Sequence, residues 1–165
     1  MRDDDLQALT PAELRHELET LTAAYVHALD DDEYERWPDF FTEDCVYKII
    51  PRENYDNDLP LAIWYCEGRG MLRDRVKAIR ETQLYAPRTM RHVTGNALIQ
   101  TCLPDRLHAV TNYAVYESTL DRPTEVFNVG RYIDRVVAED GRLKFAEKLC
   151  VFDTSLVPTS LIFPI

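Results

Sequence analysis

At 165 residues, with 45% hydrophobic and 29% charged side chains, the chain is long enough to bury a core and excludes disordered and fibrous classes by its composition. A formal net charge of -10 speaks against nucleic acid, because a phosphate-binding surface needs clustered Lys and Arg. No stretch approaches the roughly 18 apolar residues of a membrane helix, and Met1-Arg2-Asp3-Asp4-Asp5 leads into no signal-peptide core. The expectation is one domain, residues 1–165, in the cytoplasm, with no membrane partner and with Cys45, Cys66, Cys102 and Cys150 as reduced thiols. Those cysteines form no Cys-x-x-Cys pair and no zinc-like spacing.

The first helix is well marked. Thr10 is a candidate N-cap, Pro11 sits at the first helical position, and Glu13 completes a capping box. Leu9 and Leu14 are placed for a hydrophobic staple. Leu14, Leu18, Leu21, Tyr25, Ala28 and Leu29 recur at helical spacing as one apolar stripe. Asp30-Asp31-Asp32 ends that helix and can cap a short second one over 33–41, kinked at Pro38.

The stretch from Trp37 to Tyr47 reads as a helix end, a polar turn and the start of a strand over 46–50, bracketed by aromatic side chains that would fill a helix–sheet corner. A loop over 51–60, rich in Asn, Asp and Pro, leads to a strand over 61–66. Gly68 and Gly70 break that strand, and a third helix runs from about Met71 to Glu81 with Leu72, Val76 and Ile79 on one face.

Four long strands follow, at about 89–101, 107–119, 124–138 and 142–154, separated by turns at Pro104-Asp105, Asp121-Arg122-Pro123 and Glu139-Asp140-Gly141. Helices first and a strand meander later give an α+β fold with a mainly antiparallel sheet. The last two strands carry apolar residues on both faces: Phe127, Ile133 and Val137 against Tyr132 and Val136, and Leu143, Leu149 and Val151 against Cys150 and Phe152. A one-sided sheet alternates more cleanly. Either the second face wants a partner, or a wide core is bordered by ordinary exposed apolar residues. The apolar ending from Ser160 to Ile165 has the same two readings: it docks on its own sheet or in a subunit interface.

The chemistry is sparse. His16 and His27 lie off the leucine stripe, and His108 sits among ordinary polar neighbours, which leaves His92 as the histidine of interest. A strand histidine is more often a hydrogen-bonded structural residue than a catalyst. No Cys-x-His with a later Cys-x-x-His occurs, so this chain builds no Rieske site, and no two-His, one-carboxylate iron site is supported. Glycine-rich phosphate loops and the Gly-x-Ser-x-Gly elbow are also lacking.

Four segments, taken in order, carry a resemblance: Phe40 to Tyr47, Met71 to Val76, Arg91-His92-Val93-Thr94-Gly95-Asn96, and Asp153 through Phe163. Together they resemble the small (β) subunits of Rieske-type aromatic-ring-hydroxylating dioxygenases. The segments at Trp37-Pro38, Pro51 to Asn54, Glu125 to Tyr132 and Cys150 to Asp153 are most similar to the branch of salicylate 5-hydroxylase, terephthalate dioxygenase and anthranilate dioxygenase. The resemblance implies an NTF2-like (cystatin-like) cone: N-terminal helices packed on a curved, mainly antiparallel sheet of about six strands. It implies a non-catalytic subunit of an NADH-dependent oxygenase, with no cofactor of its own. The Rieske 2Fe–2S cluster and the mononuclear iron would sit in a large α subunit, in an α3β3 assembly whose β subunits associate around a three-fold axis.

The family's recurrent Asp-Arg and Arg-His-x-x-x-Asn elements match Asp74, Arg75, Arg91, His92 and Asn96, which the resemblance makes interface or internal hydrogen-bonding groups, together with Leu161, Ile162 and Phe163 of the ending. Many relatives end in an Asn-Leu-Ser-Ile-Phe type of tail, from which Leu161-Ile162-Phe163-Pro164-Ile165 departs. The alternative is a free-standing dehydratase or isomerase. The cone's interior would then gather Tyr25, Asp30, Tyr47 and His92 for acid–base work, with His92 as the proton shuttle. That reading requires convergence of the four around a cavity, and fails if Trp37, Phe40 and other core side chains plug it.

Overall fold

A computed structural model describes residues 6–154 and 161–165. Met1 to Asp5, and the part of the ending from Ser155 to Ser160, lie outside the described residues. Helix α1 (Pro11–Asp30) begins as its sequence dictates. The Thr10 backbone N–H donates to Glu13 Oε2 at 2.8 Å, and the Glu13 N–H returns a bond to Thr10 Oγ1 at 3.3 Å. The stripe from Leu14 to Leu29 is its buried face.

A 3-10 segment (Tyr34–Phe40) contains Pro38 and runs directly into strand β1 (Phe41–Pro51). The polar turn expected before residue 46 is therefore absent. Thr42, Glu43 and Asp44 are extended, and the pairing of β1 slips between Phe41 and Val46, so the polar residues sit at an irregularity instead of a turn. The loop expected over 51–60 holds a short helix, α2 (Arg52–Asp56). Strand β2 (Trp64–Glu67) starts later than the apolar run, which leaves Leu61 and Ile63 exposed. Helix α3 (Gly68–Glu81) starts earlier than expected and buries Leu72, Val76 and Ile79.

The strand read over 89–101 is two strands, β3 (Thr89–Thr94) and β4 (Leu98–Cys102). Both pair with β5 (Leu107–Ser118), one beyond the other, and the chain breaks at Gly95-Asn96-Ala97 between them. Strands β6 (Glu125–Glu139) and β7 (Arg142–Phe152) complete, among the described residues, a sheet of seven strands in the order β2-β1-β7-β6-β5-β3, with β4 also on β5. Among the described residues every pairing is antiparallel except β1 with β7. The β6–β7 hairpin turns on Asp140 (φ 52°) and Gly141 (φ 73°), both left-handed as a tight hairpin turn requires. Gly130 allows β6 and β7 to approach closely, since a Cβ there would lie 2.1 Å from the Val151 carbonyl oxygen.

Helices α1 and α3 cover one face of the sheet. Between them and the sheet lies a cluster that includes Tyr25, Trp37, Phe41, Tyr47, Tyr132 and Phe145, each fully buried. These rings meet edge-on: Trp37 on Tyr47 at 5.1 Å and Tyr25 on Phe145 at 5.6 Å between centroids. No helix among the described residues is long and apolar enough to cross a membrane.

Candidate functional site

Asp30, the last residue of α1, reaches across to β3. Its Oδ1 lies 2.6 Å from His92 Nδ1, and its two oxygens accept the His92 backbone N–H at 3.0 and 3.1 Å. Arg91 adds a longer contact to Oδ2 at 3.4 Å. Both the Asp30 and His92 side chains are about 98% or more buried, at 2% and 1% exposure. With Nδ1–H donating to the carboxylate, Nε2 is the free ring position, and it is buried without a hydrogen-bond partner.

Tyr25 and Tyr47 meet at another point. The Tyr25 hydroxyl donates to the backbone oxygen of Ile165 at 2.7 Å, and that of Tyr47 to the same oxygen at 2.9 Å. The Ile165 N–H donates back to the Tyr47 hydroxyl at 3.0 Å. Ile165 is fully buried. The expected quartet is thus two pairs: Asp30 with His92, and Tyr25 with Tyr47 around the chain's own last residues. A surface cleft of about 410 Å³ lies elsewhere, between α1, the 3-10 segment and the β6–β7 turn, where it is lined by Glu17, Leu21, Phe40, Arg142 and Leu143 among others.

The remaining expected residues divide by exposure. Asp74 is exposed on α3, and Arg75 lays its guanidinium 4.8 Å from the centroid of the Trp64 ring. Arg91 and Asn96 are exposed, Asn96 in the break between β3 and β4. Leu161 accepts a hydrogen bond from Trp64 Nε1 at 3.2 Å, Ile162 is half-buried, and Phe163 is buried and stacks on Tyr34 at 5.4 Å. In the isolated chain this segment packs on its own fold.

Sequence reading missed Lys148 and Asp134. They are cross-strand partners on β7 and β6, both fully buried, with Nζ to carboxylate distances of 3.1 and 3.2 Å. The ammonium also lies 3.7 Å from the Tyr132 ring centroid and 4.3 Å from that of Phe145. Burial raises the Asp134 carboxyl above its usual range, and the neighbouring Lys148 opposes that rise. The signal was present in strand parity: Asp134 alternates with Tyr132 and Val136, and Lys148 with Cys150 and Phe152. Among the described residues, no group of three or more His, Cys, Asp and Glu side chains gathers as a metal site would.

The outward face of the sheet carries some exposed apolar residues, among them Val126, which a register shift between Val115 and Tyr116 separates from the buried Tyr132 and Val136. Register sets Val93 beside Ala114 and Val129, and Arg91 beside Tyr116 and Val126. Val93 is 54% exposed, Tyr116 36% and Val126 50%.

The family model described as "Ring hydroxylating beta subunit" matches residues 25–159, from the last turns of α1 onward. The chain belongs to that family. It is 38% identical to the anthranilate 1,2-dioxygenase small subunit of Burkholderia cepacia, over 90% of this chain and 92% of that one. It is 33% identical to subunit beta 2 of the terminal oxygenase component of terephthalate 1,2-dioxygenase from Comamonas sp, over 90% and 97%. A crystal structure described as the beta subunit of an aromatic-ring-hydroxylating dioxygenase from Novosphingobium aromaticivorans superposes with a TM-score of 0.86 at 37% identity, covering 93% of this chain and 98% of that one. The fold is therefore the NTF2-like cone, and this β subunit is one component of an aromatic-ring-hydroxylating oxygenase.

Proposed function

We propose that this β subunit is a non-catalytic, structural component. It would aid assembly and stability of α subunits that carry the Rieske 2Fe–2S cluster and the mononuclear iron, in a cytoplasmic α3β3 complex with the β subunits around the three-fold axis. The observation that supports this reading is the filled interior. Where a catalytic relative needs a cavity, Trp37, Phe41, Tyr47, Phe145 and Ile165 pack with no exposed surface. The apolar outward patch at Val93, Tyr116 and Val126 then offers the surface for a neighbouring subunit. Exposed Asp74, Arg91 and Asn96 would serve as polar interface groups. Buried His92 and Phe163 would brace the fold behind them.

The reaction proposed for the whole complex is NADH-dependent hydroxylation of an aromatic carboxylate of the salicylate type. Anthranilate and terephthalate, in the names of the two relatives above, are both ring carboxylates. The test is reconstitution. The β subunit alone, given salicylate, NADH and a reductase, should release no hydroxylated product. The same mixture with a cognate Rieske α subunit should turn over. Turnover by the β subunit alone would contradict the structural role.

A further inference from the structure

The segment that leads into β2 carries large apolar side chains at every second position. Leu59, Leu61, Ile63 and Tyr65 are all exposed, Leu61 at 74% and both Ile63 and Tyr65 at 45%, while Trp64 and Cys66 turn inward and are buried. Single apolar residues are common on any surface, but four in succession at this spacing form a strip. The strip is held in place. Asn54 Nδ2 donates to the Leu61 oxygen at 2.7 Å, and the N–H groups of Leu59 and Ile63 donate to the oxygens of Asn54 and Ile49, each at 2.8 Å. Among the described residues β2 pairs with β1 alone and ends the sheet order, so it is an edge strand.

Helix α3 starts at this edge. The Glu67 N–H meets the Met71 sulfur at 3.3 Å, which sets exposed Met71 beside the end of β2. Five side chains of α3 are basic and two acidic, on a chain with a formal net charge of -10. Arg69 and Arg80 are paired with Glu43 and Glu35, and Arg75 lies over the Trp64 ring. Arg73 and Lys77, one turn apart, are exposed; the acids on the helix are Asp74 and Glu81, the second at 4.0 Å from the Lys77 ammonium.

We infer that the β2 edge and the basic face of α3 form one docking surface for a neighbouring α subunit, which presents an extended apolar segment to the strip and Asp or Glu side chains to Arg73 and Lys77. An apolar strip of period two along a sheet edge fits a partner strand of the same period. A basic face on an acidic protein selects an acidic partner. A second copy paired edge to edge would bring like-charged α3 faces to the same contact. An anionic lipid surface would repel the negative charge that the rest of the chain carries. In the sheet order this edge lies at the other end from β3 and Val93, so it adds a second contact surface to the one proposed above. The choice of partner rests on that assembly.

The test measures, by calorimetry, binding of the full chain to its cognate Rieske α subunit, beside three double variants. L61D with I63D should weaken binding about tenfold or more. R73E with K77E should weaken it about tenfold or more at low salt, and less at high salt. R15E with R142E, the same change of charge at exposed sites on α1 and at the β6–β7 turn, should change it less than about threefold. All three should keep the native circular dichroism.

Native binding that neither the apolar nor the basic pair of changes weakens overturns this inference and leaves the assembly standing. A native chain that binds no α subunit overturns both. The chain alone may also be sedimented, and floated with phosphatidylserine vesicles. Self-association or vesicle binding that both pairs abolish while α binding persists assigns the face to a second copy or to lipid, and overturns the inference. If the aspartate variant does not fold, amide exchange in the native complex decides. The α subunit should slow exchange across residues 61–67, and unchanged exchange there overturns the inference.

Discussion

The Asp30 carboxylate takes both the backbone N–H and the ring Nδ1 of His92, and in doing so ties the last turn of α1 to β3. A carboxylate at a helix C-terminus opposes the helix dipole, so its donors must outweigh that disadvantage. Asp30→Ala removes the acceptor of two buried donors. Hydrogen bonds to a charged group contribute about 1.5–3 kcal/mol, so urea unfolding should show a loss of about 2–4 kcal/mol. A loss below about 0.5 kcal/mol would mean that water replaces the contact and that the pair is not a brace.

Lys148 and Asp134 form a buried ion pair in an aromatic box. Removing one partner strands the other charge, at about 3–5 kcal/mol. Lys148→Met should therefore lower stability by that amount. The double change Lys148→Met with Asp134→Leu should recover most of it, because an apolar pair of similar size has no desolvation to offset. Equal stability of the single and double variants, measured by denaturant titration, would contradict this.

Alkaline pH should unfold the subunit cooperatively. Burial holds the phenols of Tyr25, Tyr47 and Tyr132 well above their ordinary value, and raises Cys45 to about 11 and Cys150 to about 12. The folded state therefore binds more protons than the unfolded one once pH passes the unfolded thiol and phenol values. Their contribution is whole below about pH 8.5, where unfolded thiols begin to ionise, and declines as pH rises toward the folded values. Each such group removes up to about 1.4 kcal/mol per pH unit in that window. Thermal melts from neutral pH upward should show the decline beginning near pH 9. A flat profile to about pH 11 would show that these groups are not desolvated.

Val93→Asp and Val126→Glu place charges on the outward patch. The isolated subunit should keep its stability within about 0.5 kcal/mol, as surface changes usually do. Association with an α subunit should weaken by about tenfold or more, since a charge stranded in an apolar contact is strongly disfavoured. Unchanged association would move the interface to another face.

Much of this was legible in the sequence where local chemistry decides structure. The Thr10–Glu13 capping box, the α1 stripe and the Asp140-Gly141 turn depend on neighbours a few residues apart. The break at Gly95-Asn96-Ala97 has a Gly-Asn turn signal, but strand-like residues on both sides make it read as one strand, and pairing with β5 is what separates β3 from β4. The family is legible in the order and spacing of several segments, of which Arg91 to Asn96 is one. The interior was less legible. Tyr25 and Tyr47 are held together by Ile165, 118 residues beyond Tyr47, while Asp30 meets His92 across 62 residues, so the four form two separate pairs. No pattern of local periodicity carries those contacts.

The most direct measurement is co-expression with a Rieske α subunit, followed by size exclusion with native mass determination. The account predicts a stable complex with α and β in a ratio of about 1:1, with iron and the Rieske absorbance carried by the α chain. A folded, iron-free β subunit that elutes apart from every such α subunit would contradict it.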